Sequence, residues 1–298
     1  MHLSNKVQGI ALIQILLITA VLSVLAMYLT TTAKDQVKVA QWSDDKATAL
    51  VAVHSAEAEL LFELLTNKKV QSESNAEVSG QAINKRWNFF ALPFNISKQV
   101  TVKIQDQSAL INAHFPDAKI LKKLIAHVGH TTNETNVIFD NLLDWQDLDN
   151  IPRTNGNESL GAMQSIRNGA FPDLHDSKFV KNVSSELHQS LLKNTTLNSK
   201  GFFNPMNSPK QLLVAITNIE IAEQIIQRRE SNQLSTRQFS QLTGIVDSEK
   251  VLLYPSNILA IELEGAVGSS KVYKKIIVEL NPYANAFQAP INIFATNG

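Results

Sequence analysis

The chain has 298 residues, with 27 basic and 27 acidic side chains, a formal net charge of zero and 44% hydrophobic residues. That is enough for one large core or two small ones, and the balanced charge argues against a nucleic-acid binder held by bulk electrostatics. No cysteine is present, which excludes disulfides, thiolate zinc sites and cysteine nucleophiles.

Residues 6–29 read "KVQGIALIQILLITAVLSVLAMYL". Ile10 to Leu29 is about as long as a membrane-spanning helix, which needs ~20 apolar residues. Lys6 ahead of it keeps the N-terminus cytoplasmic and exports the rest of the chain. Three readings compete. The segment can be an uncleaved anchor, or a secretory signal peptide cut after Val24-Leu25-Ala26. It can also be cut between Gly9 and Ile10 and kept as the new N-terminus. The continuation favours keeping it, because no glycine occurs between Gly9 and Gly80 and no proline before Pro93. Val39, Trp42, Leu50, Val53, Leu60, Leu61, Leu64 and Leu65 recur near helical spacing. The pattern predicts one helix from Ile10 to about Thr66, roughly 85 Å long at ~1.5 Å per residue.

A basic leader ending in glycine, a retained apolar helix and a long amphipathic continuation resemble a type IV pilin or a type II secretion pseudopilin. The resemblance implies cleavage by a prepilin peptidase after Gly9 and methylation of the new amino terminus at Ile10. Most members of that family carry glutamate five residues into the mature chain, and Gln14 stands there in this sequence. An uncharged Gln14 forgoes a pairing with the neighbouring subunit's amine. That suits a subunit with nothing above it, or is a tolerated exchange.

Asn67 to Lys85 is polar and reads as a loop. "RWNFFALPF" and "KQVTVKIQDQSALIN" read as strands, with Val100, Val102 and Ile104 on one face. Near the C-terminus, Ile258 to Val267 and Val272 to Leu280 read as a hairpin turned at "GSS". About 140 residues of helical pattern lie between. They contain a weak repeat, "SALINAHFPDAKILKKLIAHVG" against "KGFFNPMNSPKQLLVAITNIEIAEQIIQRRE", with Leu121 and Leu212 inward and Ser208-Pro209 as a helix start. This half-resembles helix-hairpin-helix DNA-binding units, but the glycine hairpin is missing.

The sharpest constellation is "NLLDWQDLDNIPRTNGNE", residues 141–158. Asp144, Asp147, Asp149 and Glu158 can supply three or four carboxylates to calcium. It is not an EF-hand. The same acids can equally pair with Arg153 or face water. His127 and His130 form H-x-x-H without the glutamate of zinc hydrolases. No phosphate loop or G-x-S-x-G elbow occurs, so the chain reads as non-catalytic.

"LLDWQDLDNIPRTNGNE" is similar to the Asp-Trp-x-Asp-x-Asp…Pro-Arg…Gly-x-Glu signature of the K-type minor pseudopilin of type II secretion. The resemblance extends from Lys6 to Leu280. It implies an α+β fold: a pilin-like long N-terminal helix on a small antiparallel sheet, with a large inserted α-helical domain. The corresponding division is a leader over 1–9, a transmembrane helix over 10–29 and a periplasmic helix over 30–66. The first sheet part then covers 80–112, the insertion 113–250 and the closing strands 251–298. It further implies calcium at Asp144, Asp147, Asp149 and Glu158, although "SLGAMQSIRNG" stands where the family usually has further acids and a tyrosine pair. The implied protein is a single-pass inner-membrane subunit with a periplasmic body at the tip of the pseudopilus, helping to initiate assembly and capping the filament. Its implied partners are the I-type and J-type minor pseudopilins, the major pseudopilin, the prepilin peptidase and the inner-membrane secretion platform. The alternatives are a minor pilin of a type IV pilus and a soluble periplasmic binding protein with a cleaved signal peptide.

Overall fold

The computed structural model describes residues 8–69, 87–158 and 166–297. The expected leader up to Val7 and most of the expected loop, 70–86, lie outside these residues. One helix, α1 (Gln8–Thr66), runs unbroken for 59 residues. It begins two residues before Ile10 and crosses the Gly9–Ile10 bond. Every residue from Ala11 to Thr31 is exposed, and this part of α1 is long and apolar enough to cross a membrane. Side chains exposed in all directions suit a segment surrounded by lipid rather than by protein.

The upper part of α1 has a different job. Ala49, Val53, Ala56, Leu60 and Leu64 are buried at steps of three, four and seven, which places them on one helical face. They pack on a five-stranded antiparallel sheet in the order β1-β2-β5-β6-β7. Its strands are β1 (Phe94–Asn95), β2 (Val100–Asp106), β5 (Ile258–Val267), β6 (Ser270–Leu280) and β7 (Ile291–Asn297). Val100, Val102 and Ile104 face α1 with Leu259, Ile261, Leu263, Ile276 and Val278. At Gly265 a Cβ would lie 3.0 Å from the Ala49 carbonyl and 2.5 Å from Val53, so glycine lets β5 lie close against the helix. Val39, Trp42 and Leu50, members of the apolar repeat, are exposed instead.

The β5–β6 hairpin forms as expected, its register running from Ile258↔Glu279 to Val267↔Ser270 around Gly268-Ser269. "RWNFFALPF" does not form the continuous strand that its apolar residues suggested. Only Phe94–Asn95 and a single bridge from Phe90 to Gln105 pair. The Asn88 side chain accepts from Leu92 N at 3.0 Å and donates to Leu92 O at 2.7 Å, and Ala91 takes a positive φ of 60°. A side chain that captures backbone groups in this way competes with the ladder.

Between β2 and β5 lie β3 (Ile111–Asn112), α2 (Ala118–His127), α3 (Thr132–Asp144), α4 (Ser185–Asn194), β4 (Thr195–Thr196), α5 (Lys210–Ile216), α6 (Ile219–Glu230) and α7 (Thr236–Thr243). Local signals start most of the helices. Asp117, Thr131, Ser184, Asn218 and Ser235 each accept a backbone N–H in the first turn. Thr131 with Glu134, and Ser235 with Gln238, form capping boxes. Leu121 of α2 and Leu212 of α5, matched in the repeat, share one core. Ser208 is not a cap. Its hydroxyl donates to the Ala109 carbonyl at 2.7 Å, and α5 starts at Lys210 with Pro209 in the cap position and no side-chain cap.

These helices attach at the end of the sheet far from the apolar segment. Lys69, just past α1, donates to the Ser256 carbonyl at 2.8 Å, whereas Ser270 at the β5–β6 turn reaches the Trp42 carbonyl at the opposite end. The junction centres on Asp106, which is fully buried. One oxygen accepts from Ser108 N (3.1 Å), Ser108 Oγ (2.8 Å), Ser256 N (3.2 Å) and Ser256 Oγ (2.6 Å). The other accepts from Asn204 Nδ2 at 2.9 Å. Burial pulls the Lys69 ammonium down to about 8, against the opposing attraction of Asp106. Arg229 strengthens the joint by donating to Ser208 O at 2.7 Å with its guanidinium over the Phe90 ring.

Removing the Asp106 carboxylate strands several buried donors at once, each costing about 1–3 kcal/mol. Asp106→Ala in the detergent-solubilised chain is therefore expected to lower stability by at least about 3 kcal/mol, read as a fall in the urea midpoint by tryptophan fluorescence. An unchanged midpoint would mean that the junction does not depend on this residue.

Candidate metal centre

The acidic motif begins at the C-terminal end of α3. The pattern "TNETNVIFDNLLD" turns Ile138, Phe139 and Leu142 into the insertion's core and carries Asp144 inward with them. Asp144 is fully buried at a helix C-terminus, where the helix dipole already places partial negative charge. It needs a positive partner.

The chain supplies one nine residues later. Asp149 Oδ1 accepts from Ile151 N at 2.8 Å and bends the loop back. Arg153 then donates through its backbone N–H to Asp144 Oδ2 at 3.2 Å and through Nη1 to Asp144 Oδ1 at 2.5 Å. The same Nη1 also pairs with Asp147 Oδ2. A Cβ on Gly156 would overlap the Asp144 carboxylate, so only glycine permits this close return. Asn155 fastens the loop by donating twice to Asp140 Oδ2, at 3.1 and 2.9 Å.

Arg153 does not satisfy the whole cluster. Asp147 Oδ1 and both carboxylate oxygens of Glu158 are buried without a hydrogen-bond partner. One oxygen each from Asp144, Asp147 and Glu158 lies within 4.8 Å of the others. Burial, followed by the negative charges of Asp147, Asp144 and Asp149, raises the Glu158 carboxyl above its ordinary range, with Arg153 opposing. The folded chain thus holds this proton more tightly than the unfolded one. In the absence of a cation, stability is lost as pH rises through a window that begins near 4.5.

Three of the four expected ligands are therefore brought together, and Asp149 is not. It is exposed and spends an oxygen on its own turn. Three carboxylates and one guanidinium leave a local charge of about −2, which a divalent cation would neutralise, and orphaned buried oxygens are the donors a hard cation takes. The residues present fit such an ion. Arg153 pairs with these acids, as the sequence allowed; that one nitrogen serves both Asp144 and Asp147, and that Glu158 is drawn inward, was not legible in the spacing. Gln14 lies on the exposed apolar part of α1. Gly9 and Ile10 lie in the first turn of that helix. His127 is exposed at the end of α2, and neither it nor His130 belongs to a metal-binding group among the described residues.

No family model matches the chain, and no curated protein matches it. A solved structure does. A chain of the GspK-GspI-GspJ complex from the type 2 secretion system of enterotoxigenic Escherichia coli is similar to this one at 14% identity and a TM-score of 0.52. The match covers 90% of this chain and 98% of that one. At that identity the similarity is one of fold: a long N-terminal helix on an antiparallel sheet, with further helices.

Proposed function

We propose that this protein is a minor pseudopilin of type II secretion, of the K type. In this role it is cut after Gly9, methylated at Ile10 and retained in the inner membrane by residues 10–29, with its body in the periplasm. The observation that carries the reading is α1 itself, an apolar segment exposed on all sides and continuous with the helix that holds the sheet. The fold similarity to a chain of a minor pseudopilin complex supports it.

The proposed work is mechanical rather than catalytic. The apolar helix packs with those of the I-type, J-type and major pseudopilins on the inner-membrane platform. Gln14 carries no charge that would call for a subunit above it. The insertion sits at the end of the body far from the apolar segment, which suits a cap that starts the filament and leaves no room for another subunit there. Immunogold labelling of pseudopili should find this chain at filament ends only, and its deletion should stop both assembly and secretion. Labelling along the shaft would contradict the tip role.

In the same reading calcium is held by Asp147 and Glu158, with Asp144 completing the set, and it ties the acidic loop to α3. The ion supplies positive charge to buried oxygens that have no other partner. At a hundredfold excess over its Kd, calcium would stabilise the fold by about 2.7 kcal/mol. Calcium should therefore raise the melting temperature of the chelator-treated chain, and Glu158→Gln should abolish the rise. An equal rise in the variant would remove Glu158 from the site.

A further inference from the structure

Among the described residues the sheet ends on β7, and that edge is bare. Its sequence, "INIFATN", contains no charge and no proline, two of the devices by which natural edge strands are kept from pairing. The opposite edge is protected. β1 has only two residues, and the chain over 89–95 runs along β2, with hydrogen bonds from Ala91 N to Ile104 O and from Asp106 N to Phe89 O.

The register shows what β7 presents. Ile291 lies opposite Leu280, Ile293 opposite Val278 and Thr296 opposite Ile276, and directly opposed residues share a face. Those three partners are buried in the core beneath α1. The helix does not extend over β7, however, and Ile293 is 59% exposed on the same face. Phe294 is the extra residue at the bulge and is 48% exposed. The bulge adds twist to the edge but places a phenylalanine there rather than a lysine. At one end of the strand, the loop from β6 carries Tyr283 and Phe287, 96% and 98% exposed. Large aromatic side chains exposed to this extent beside an open edge are typical anchors of protein interfaces.

We propose that β7 is a pairing edge that receives an extended segment of a second, co-anchored pilin-like subunit, with Tyr283 and Phe287 gripping it at one end. The unpaired N–H and C=O groups of an edge strand are complementary to extended backbone and not to a helix, whose backbone groups bond internally. Without a cationic side chain, β7 offers nothing to nucleic acid or acidic headgroups. A second copy of this chain is the poorer occupant on geometric grounds. Antiparallel β7–β7 pairing about a two-fold axis normal to the sheet reverses α1, so both apolar segments cannot enter one membrane from the same side. A copy with α1 pointing the same way either offers only its covered β1 edge or, turned about the strand direction, carries its α1 on the opposite face of the joined sheet. This inference rests on the reading of residues 10–29 as a membrane anchor.

The chain has no cysteine, so single-cysteine variants report on one position each. The test uses the full-length chain in membranes of cells that also make the other pseudopilins. Ile293→Cys and Phe294→Cys, each carrying a photoactivatable cross-linker on its thiol, should link to an extended segment of another pilin-like subunit identified by mass spectrometry. Adding Ile293→Lys to the Phe294→Cys probe should lower that yield more than tenfold. It should leave the melting temperature within about 2 °C, because the position is exposed. Cross-links only to a second copy, only to a helix, or absent altogether would overturn the proposal. If the mature chain lacks residues 10–29, the anchor reading has failed instead, and that is seen in the mass of the same protein.

Discussion

The structure depends on one helix meeting two different demands. From Ala11 to Leu29 the α1 side chains are apolar in nearly every direction, as a helix surrounded by lipid on all sides would require. From Ala49 to Leu64 the same helix must be one-sided, with Val53, Leu60 and Leu64 turned to the sheet and Leu50, Val51, Glu59 and Phe62 turned away. Both demands are met without a break, since no proline or glycine interrupts residues 10–66. The sheet is then built to fit the helix. Gly265 admits the Ala49 backbone, and Lys274 reaches across to Glu57 at 2.5 Å.

The helical insertion is held by a different kind of contact. It meets the sheet through polar groups, chiefly Asp106 with Ser108, Ser256 and Asn204, and the ion pair of Lys200 with Glu279. Hydrophobic contact is tolerant of sliding, whereas a buried carboxylate with six donors, Asn207 Nδ2 included, fixes orientation because each misplacement strands a polar group. The apolar cores of the insertion are separate from that beneath α1. The acidic loop thus belongs to a body whose orientation relative to α1 and the sheet is set at Asp106.

The parts legible in the sequence are those governed by local pattern. The α1 helix was visible because its composition and spacing hold for over fifty residues. The hairpin was visible because alternation and a glycine turn coincide at 258–280. Patterning failed where one side chain redirects the backbone, as Asn88 does in "RWNFFALPF", and where a hydroxyl finds a distant partner, as Ser208 does at Ala109. The Asp106 junction could not be read, since its donors come from positions up to 150 residues away. At the acidic motif the spacing brought out the carboxylates. It could not separate Asp149, which stabilises its own turn, from Glu158, which is carried inward by the close return at Gly156.

The account stands or falls on whether the apolar segment remains part of the mature helix. The most direct measurement is the mass of the N-terminal peptide of the protein purified from membranes of cells that contain a prepilin peptidase. A peptide beginning at Ile10 and carrying one added methyl group is the predicted result, because α1 then reaches from lipid to sheet as one piece. A mature chain beginning at Met27 would contradict the account. The sheet and insertion would then belong to a protein released from the membrane, and the unbroken helix would have no mechanical purpose.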